Sequence, residues 1–148
     1  MNNDLTLDLI EEFLYAVDKS FIVPLSQKQN LKDFAEKLFN YATICAEKNE
    51  NKIVSMVAGY TDNLVDNLSY ITLVATLDEA RGIGLASKCV RKFIEVCKEK
   101  DISAVHLYTD ASNEKAKSMY RKIGFVEYKI ENEPRPKDVH LIYRIEKE

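Results

Sequence analysis

The sequence contains no tryptophan, three cysteines and two histidines, and these shortages exclude several kinds of site. Cys45, Cys89 and Cys97 are odd in number and form no C-x-x-C pair, so we expect buried, reduced thiols rather than a disulfide framework. His106 and His140 each lack a second His or a Cys at the spacing of metal ligands. The sequence therefore predicts no metal site.

A basic block and a long apolar run are also missing. The 21 Lys and Arg residues stand against 24 Asp and Glu residues, a formal net charge of -3, so nothing indicates a nucleic acid or an anionic membrane as partner. No apolar stretch approaches the ~18 residues that span a bilayer, and no basic region precedes an apolar run at the start. We expect a cytoplasmic protein whose 148 residues form one domain, 1–148.

Glycine is scarce, and two of the four glycines stand together in Arg81-Gly82-Ile83-Gly84-Leu85-Ala86. This stretch joins an apolar run at residues 70–76 to a long helical pattern. Glycines let backbone N–H groups approach an anion, and a helix that begins there adds unpaired donors and the positive end of its dipole. Arg81 adds a bidentate charge. The stretch indicates a phosphate-binding loop, although the two glycines alone would also suit a tight turn.

The first half of the chain predicts helices followed by strands. Apolar residues at helical spacing indicate two amphipathic helices, at residues 5–17 and 31–39. Asp4 caps or precedes the first, and Asn30 caps the second. Residues 21–26 contain a proline and are expected to be a connection. Three strands should follow, at residues 43–47, 52–60 and 69–76.

The second half predicts a β-α-β unit and a closing pair of strands. A helix at residues 83–100, with Ile83 on its buried face, should lead to a strand at residues 104–109 that is buried on both faces. A short helix at residues 113–122 should end at Gly124. Two antiparallel strands are expected last, at residues 125–130 and 139–145. The fold class is α/β with a mixed α+β sheet, mostly antiparallel, with one parallel β-α-β unit and helices on both faces.

Two motifs carry a resemblance to a known family. Arg81-x-x-Gly84-x-Ala86 resembles the acetyl-CoA pyrophosphate loop, Arg/Gln-x-x-Gly-x-Gly/Ala, of the GNAT family of N-acetyltransferases. That family's downstream signature resembles Asn113-x-x-Ala116-x-x-x-Tyr120-Arg121-Lys122-Ile123-Gly124-Phe125. The resemblance covers residues 71–128 and is loose in the N-terminal third, where hardly any sequence remains for the strand that precedes the family's first helix. It implies a GNAT-like acyl-CoA N-acyltransferase fold.

The resemblance also implies a role for each matching residue. Acetyl-CoA would be the cosubstrate, with its pantetheine arm in a V between the strands at residues 70–76 and 104–109. The implied cofactor-binding residues are Val74 and Thr76 for pantetheine, Arg81, Gly82, Ile83, Gly84, Leu85 and Ala86 for the pyrophosphate, and Asn113 and Tyr120 near the reacting end. Tyr120 would be the catalytic acid. From the residues alone, Asn113 is equally a helix N-cap and Tyr120 a buried helix aromatic.

The function implied is that of an N-acetyltransferase, in which a primary amine attacks the thioester of acetyl-CoA directly. The acceptor, a small molecule or a peptide amine, has no recognisable code in the sequence. The candidates for a general base are Tyr60, Asp62, Tyr70, Glu79 and His106, and a water chain could replace them all.

Three other hypotheses remain open from the sequence. A non-catalytic CoA-binding sensor or interaction module would use the same loop. A dinucleotide-binding fold is the nearest competitor, but Ser87 stands where its third glycine would be. A homodimer could form through the last strand, at residues 139–145, if that strand is an exposed edge.

Overall fold

The computed structural model describes residues 4–21 and 23–146. Its helices are α1 (Leu7–Val17), α2 (Leu25–Lys28), α3 (Leu31–Tyr41), α4 (Leu85–Glu99) and α5 (Glu114–Ile123). Its strands are β1 (Thr43–Asn49), β2 (Lys52–Tyr60), β3 (Leu68–Thr76), β4 (Ala104–Asp110), β5 (Val126–Glu127) and β6 (Asp138–Arg144). Short 3-10 turns occupy Asp18–Ser20 and Asp78–Ala80. Residue 22, within the predicted connection, lies outside the described residues.

The six strands form one mixed sheet in the order β1-β2-β3-β4-β6-β5. Within residues 4–21 and 23–146, only β3 and β4 pair in parallel, with α4 as their crossover, and the other neighbours are antiparallel. This confirms the predicted sheet with one parallel unit. Within residues 4–21 no strand precedes α1, so the sheet begins at β1, after α3.

The last strand does not lie at an edge of the sheet, and the premise of a dimer through it is wrong. β6 is inserted between β4 and β5. It pairs with β4 along all seven of its residues, whereas β5 offers only Val126 and Glu127. The long pairing with β4 thus places β6 at an inner position of the sheet.

Two apolar cores lie on opposite faces of the sheet, which confirms the helices on both faces. One core packs α1, α2 and α3 against β2 and β3, and the other packs α4 and α5 against the sheet. Cys45, Cys89 and Cys97 are buried and free, as expected. Ile83 is 73% exposed, against expectation, because α4 begins only at Leu85 and leaves Ile83 in the preceding loop.

The helix ends show which capping predictions hold. The amide of Asp33 donates to Asn30 Oδ1 at 3.0 Å, so Asn30 caps α3 as predicted. The cap of α1 is Thr6, whose Oγ1 accepts from the amide of Leu9 at 3.2 Å, so Asp4 precedes this helix but does not cap it. The difference arises because the helix begins two residues later than its apolar pattern suggests. Among the helices described, none has the length and apolar character needed to cross a membrane.

Candidate active site

The parallel pair at the centre of the sheet separates into a V. β3 and β4 pair only at Leu68 with Ala104, Ser69 with Val105 and Tyr70 with His106. β3 then runs on to Thr76 and β4 to Asp110 without pairing to each other. Among the strands that the structure describes, the separation leaves one edge of each without a neighbour, and Tyr70 and His106 mark the apex.

An irregularity in β3 lies just past this apex. Ala58 of β2 pairs with Leu73, while the next residue, Gly59, pairs with Ile71, so Thr72 is an extra residue that forms a bulge. Gly59 is required here because a Cβ on it would lie 2.5 Å from Cζ of Phe93. The absent side chain lets α4 lie close behind the bulge.

The predicted pairing residues of β3 lie on the open edge of the V. The amide of Leu77 donates to the Val54 carbonyl at 2.9 Å, and Ser55 Oγ donates to the Ala75 carbonyl at 3.4 Å, so these positions face β2. Backbone groups alternate between the two edges of a strand, which turns those of Val74 and Thr76 toward the V. These are the groups that a strand-like ligand would pair with.

The loop after β3 has the backbone of an anion site. Gly82 and Gly84 have φ of +87° and +80°, and no heavy atom of the described residues lies within 4 Å of a Cβ built on either. Gly84 begins α4 without a side-chain cap, and the first helical bond there runs from the Lys88 amide to the Gly84 carbonyl at 3.0 Å. The first-turn amides, including those of Leu85 and Ala86, therefore remain available to an anion.

Arg81 is turned away from this helix end in the structure. Its Nη1 lies 3.1 Å from Asp78 Oδ1, and its Nε donates to the Thr76 carbonyl at 3.3 Å. Both side chains of the ion pair are more than half exposed, and such pairs contribute only about 0–1 kcal/mol. Rotation of Arg81 toward a bound phosphate would therefore cost little.

A groove of about 560 Å³ lies between α4 and α5, beside the loop. Arg91, Lys115 and Lys122 contribute positive charges to its lining, and Ser87 and Ser118 contribute hydroxyls. Glu114 adds one carboxylate to the lining, so the three cations leave the groove with a net positive charge that suits a phosphate-bearing ligand.

Asn113 and Tyr120 lie at the start and near the end of α5. Asn113 Oδ1 accepts from the amide of Ala116 at 3.1 Å, which confirms it as an N-cap. Tyr120 is 5% exposed and packs edge-on against Phe125 with ring centroids 5.4 Å apart. Its hydroxyl forms no hydrogen bond with the residues that the structure describes, and burial raises its pKa. A buried, unpaired hydroxyl is costly and therefore calls for a partner.

A hydrogen-bonded chain of side chains lies at the apex of the V. His106 Nδ1 is 2.9 Å from His140 Nε2, and His140 Nδ1 is 3.0 Å from Glu133 Oε2. The Tyr108 hydroxyl donates to Glu133 Oε1 at 2.5 Å, and the amide of Ile130 donates to Oε2 at 3.2 Å. We call His106, His140, Glu133 and Tyr108 the His–Glu chain.

The pKa shifts in the His–Glu chain follow from burial and hydrogen bonding. The hydrogen bond from Tyr108, and then that from His140, hold the pKa of Glu133 below its usual range. Burial lowers the pKa of His106 below its ordinary value of 6.5, and the neighbouring His140 acts in the same direction. Burial, followed by the Glu133 carboxylate, raises the pKa of Tyr108. Glu133 is thus ionised and His106 neutral near pH 7.

The structure separates the predicted candidates for a general base. Tyr70 and His106 lie together at the apex, with ring centroids 5.2 Å apart. Asp62 is instead paired with Lys100 at 2.8 Å, and Glu79 with Lys52 at 2.8 Å. Burial raises the pKa of Tyr60.

Sequence reasoning missed His140, Glu133 and Tyr108 as members of one cluster. The available signal was the alternation of His106 and Tyr108 along β4, which places them on one face of the sheet. In the described part of the chain, no group of three or more His, Cys, Asp or Glu residues is arranged to hold a metal ion.

A sequence model of the acetyltransferase (GNAT) family matches residues 7–125. The chain therefore belongs to the acetyltransferase (GNAT) family, which confirms the resemblance drawn from the two motifs.

Two curated relatives match parts of the chain. N-alpha-acetyltransferase 30 of Schizosaccharomyces pombe is 37% identical over 60 residues, 40% of this chain and 40% of the relative. Mycothiol acetyltransferase of Arthrobacter sp. is 38% identical over 58 residues, 39% of this chain and 18% of the relative. Each match spans less than half of the relative's length.

A solved structure matches nearly all of the chain. PaiA N-acetyltransferase of Thermoplasma acidophilum, in complex with coenzyme A, has a TM-score of 0.75 at 13% identity and covers 96% of both chains. This likeness confirms the GNAT-like acyl-CoA N-acyltransferase fold.

Proposed function

We propose that this protein is an N-acetyltransferase that transfers the acetyl group of acetyl-CoA to a primary amine by direct attack. The observation that carries the proposal is the V between β3 and β4, whose open edge leads to the uncapped start of α4. When bound, acetyl-CoA would supply an activated acyl group as a thioester. The residues of the protein would then bind acetyl-CoA, orient it and transfer the protons of the reaction.

The backbone of β3 and the loop after it would bind the cosubstrate. Val74 and Thr76 offer their backbone groups to the two amides of a pantetheine arm, as a neighbouring strand would. Gly82, Gly84 and the first-turn amides of α4 form the pyrophosphate site, completed by Arg81 after it leaves Asp78. Ile83 is exposed beside them.

Two further elements would hold the nucleotide and the reacting end. The groove between α4 and α5, with Lys115, suits the 3'-phosphate. A backbone N–H near Val74 would stabilise the negative charge that develops on the acetyl oxygen, a contribution of roughly 3–4 kcal/mol for a donor of this kind. Asn113 keeps its side-chain NH2 group for the pantetheine or the acceptor, because its Oδ1 caps α5.

Tyr120 would give a proton to the departing thiolate. Its buried hydroxyl has no partner among the described residues, and a sulfur atom in the V would be one. The raised pKa keeps the phenol protonated at neutral pH. Full transfer to a thiolate, whose ordinary pKa is about 8.5, is uphill, so the proton would be shared while the C–S bond breaks.

The acceptor is proposed as a primary amine of a peptide or a small molecule. One relative is named as an N-alpha-acetyltransferase and the other as a mycothiol acetyltransferase, so these two names refer to different types of acceptor. The His–Glu chain lies on the face of the sheet opposite Tyr120, because Val105 and Leu107 belong to the core of α4 and α5. The amine would thus enter from the face of α1 and α3.

Release of free CoA tests the proposed function. Native protein would be mixed with acetyl-CoA and, in turn, with peptides bearing a free N-terminus, peptides bearing only Lys, amino sugars and simple amines. We expect thiol release that depends on one acceptor class, with a mass gain of one acetyl group on that acceptor. Tight acetyl-CoA binding without acetyl transfer to any acceptor would instead indicate a binding module.

A further inference from the structure

We infer that Nε2 of His106 is the general base that takes a proton from the acceptor amine, and that His140 and Glu133 are positioning residues that hold His106 in the required tautomer. The inference rests on the proposed function. It is built on the geometry of the His–Glu chain at the apex of the V.

The hydrogen bonds of the His–Glu chain indicate which nitrogen of each histidine carries the proton. Glu133 accepts from three donors, the Tyr108 hydroxyl, the Ile130 amide and His140 Nδ1, so it is a carboxylate. With His140 taken as neutral, its Nδ1 carries the proton of that bond and its Nε2 is an acceptor. His106 Nδ1 therefore donates to it at 2.9 Å, and the lone pair of His106 lies on Nε2.

The position of His106 suits a base. It belongs to the last parallel pair before β3 and β4 separate, and it is half-buried. Within the described residues its Nε2 has no hydrogen-bond partner. His140 is 5% exposed and stacks on Tyr108 with ring centroids 4.2 Å apart, so His106 is supported from behind by a buried ring.

The groups around His106 determine its titration. Tyr70 faces it from β3, and His140 faces it from β6. Glu133 and Tyr108 complete the surrounding groups, with Arg135 stacked over the Tyr108 ring at 5.8 Å. Burial and His140 lower the pKa of His106, while Glu133 raises it. The neutral form, which is the base, is thus available at neutral pH and is lost as the pH falls below the pKa of His106.

The proton balance of the reaction closes with these residues. His106 Nε2 takes one proton from the acceptor ammonium and becomes an imidazolium, stabilised through His140 by the Glu133 charge. The freed amine nitrogen forms the new N–C bond as the C–S bond breaks, and Tyr120 gives its proton to the sulfur. The second proton of the nitrogen returns to the Tyr120 oxygen through water. His106 releases its proton to solvent, so the net products are an amide, a free thiol and one proton.

Two substitutions test the base and its support kinetically. His106→Asn keeps a donor near Nδ1 for His140 but removes Nε2. We expect kcat/KM at neutral pH to fall about 100-fold or more, the usual scale for a positioned base, with unchanged acetyl-CoA affinity. With increasing pH, kcat/KM of the native protein should rise through a pKa below 6.5. The kcat/KM of the variant should rise only at the pKa of the acceptor amine.

Glu133→Gln removes the charge and keeps the size of the side chain. We expect the acid limb of the kcat/KM profile to move to lower pH and its plateau to fall, because the His106 imidazolium loses the Glu133 carboxylate as its counter-charge. Glu127→Gln is the matched control, an exposed carboxylate on β5 whose loss should leave the profile unchanged.

A nitrogen NMR spectrum of the native protein gives a second readout that does not depend on turnover. We expect the Nδ1–H tautomer of His106 near pH 7, and the Nε2–H tautomer would overturn the inference. An active native enzyme whose His106→Asn variant keeps the native rate and pH profile would also overturn it, leaving the proposed function intact. A native protein that transfers acetyl to no amine would contradict the proposed function itself.

Discussion

Tyr70 of β3 and His106 of β4 form the last parallel pair of the sheet, and their ring centroids lie 5.2 Å apart. On one side of this pair the two strands are hydrogen-bonded to each other, and on the other side they diverge. The pair therefore places a titratable ring at the point where an open backbone edge begins. Binding through the backbone and proton transfer through side chains can meet there.

Tyr120→Phe tests the proposed acid. The substitution keeps the ring that packs on Phe125 and removes the proton, so kcat should fall roughly 100-fold or more while acetyl-CoA affinity stays nearly constant. Tyr15→Phe, at a residue 58% exposed on α1, is the matched control and should change neither value. Steady-state kinetics and calorimetric titration measure the two effects. Native turnover in Tyr120→Phe would make it a packing residue.

Arg81→Ala and Gly84→Ala test the anion loop. Loss of the charged hydrogen bond should weaken acetyl-CoA binding by about 1.5 kcal/mol, roughly tenfold in Kd. Gly84→Ala adds a Cβ at φ +80°, which strains the backbone and covers the amides. Lys98→Ala removes a cation at the other end of α4 and serves as the control. Calorimetry that finds equal Kd values in all three folded variants would contradict the pyrophosphate site.

Gly59→Ala tests the packing behind the V. A Cβ would lie 2.5 Å from Phe93 Cζ and 2.8 Å from the Tyr70 carbonyl oxygen, which is backbone and cannot move aside cheaply. Overpacking of this kind typically costs about 1–3 kcal/mol, with a fall in Tm of about 2–4 °C for each kcal/mol. Thermal unfolding followed by circular dichroism measures it. An unchanged Tm would show that the bulge and α4 can separate without cost.

The basicity of the acceptor should affect the rate if His106 is the base. Peptide α-amines have ordinary pKa values of about 7.7–8.0 and Lys side chains about 10.4, so a base whose pKa is lowered below 6.5 takes a proton far more easily from the former. We expect kcat/KM for a peptide with a free N-terminus to exceed that for an N-blocked peptide with one Lys by about tenfold or more at pH 7. Equal values in a thiol-release assay would count against a histidine base.

Features set by neighbouring residues were predictable from the sequence. The cap at Asn30 and the strand β3 follow from capping and apolar patterns within a few positions. The same reasoning placed Ile83 inside, because the apolar period runs on into a loop that the glycines shape.

Features that depend on residues distant in the sequence could not be predicted in this way. Glu133 and His140 reach His106 through the insertion of β6 between β4 and β5 and through its register with β4. No local pattern encodes that order, so the sequence indicated two isolated histidines where the structure has a hydrogen-bonded pair.

Amide hydrogen exchange along β3 is the most direct test that the V receives acetyl-CoA. The amides of Val74 and Thr76 face the open edge, whereas the amide of Leu77 is bonded to Val54 across the other edge at 2.9 Å and provides an internal control. Saturating acetyl-CoA should slow exchange at Val74 or Thr76 by about tenfold or more and leave Leu77 nearly unchanged. Bound acetyl-CoA that leaves both amides exchanging at their free rates would contradict binding in the V.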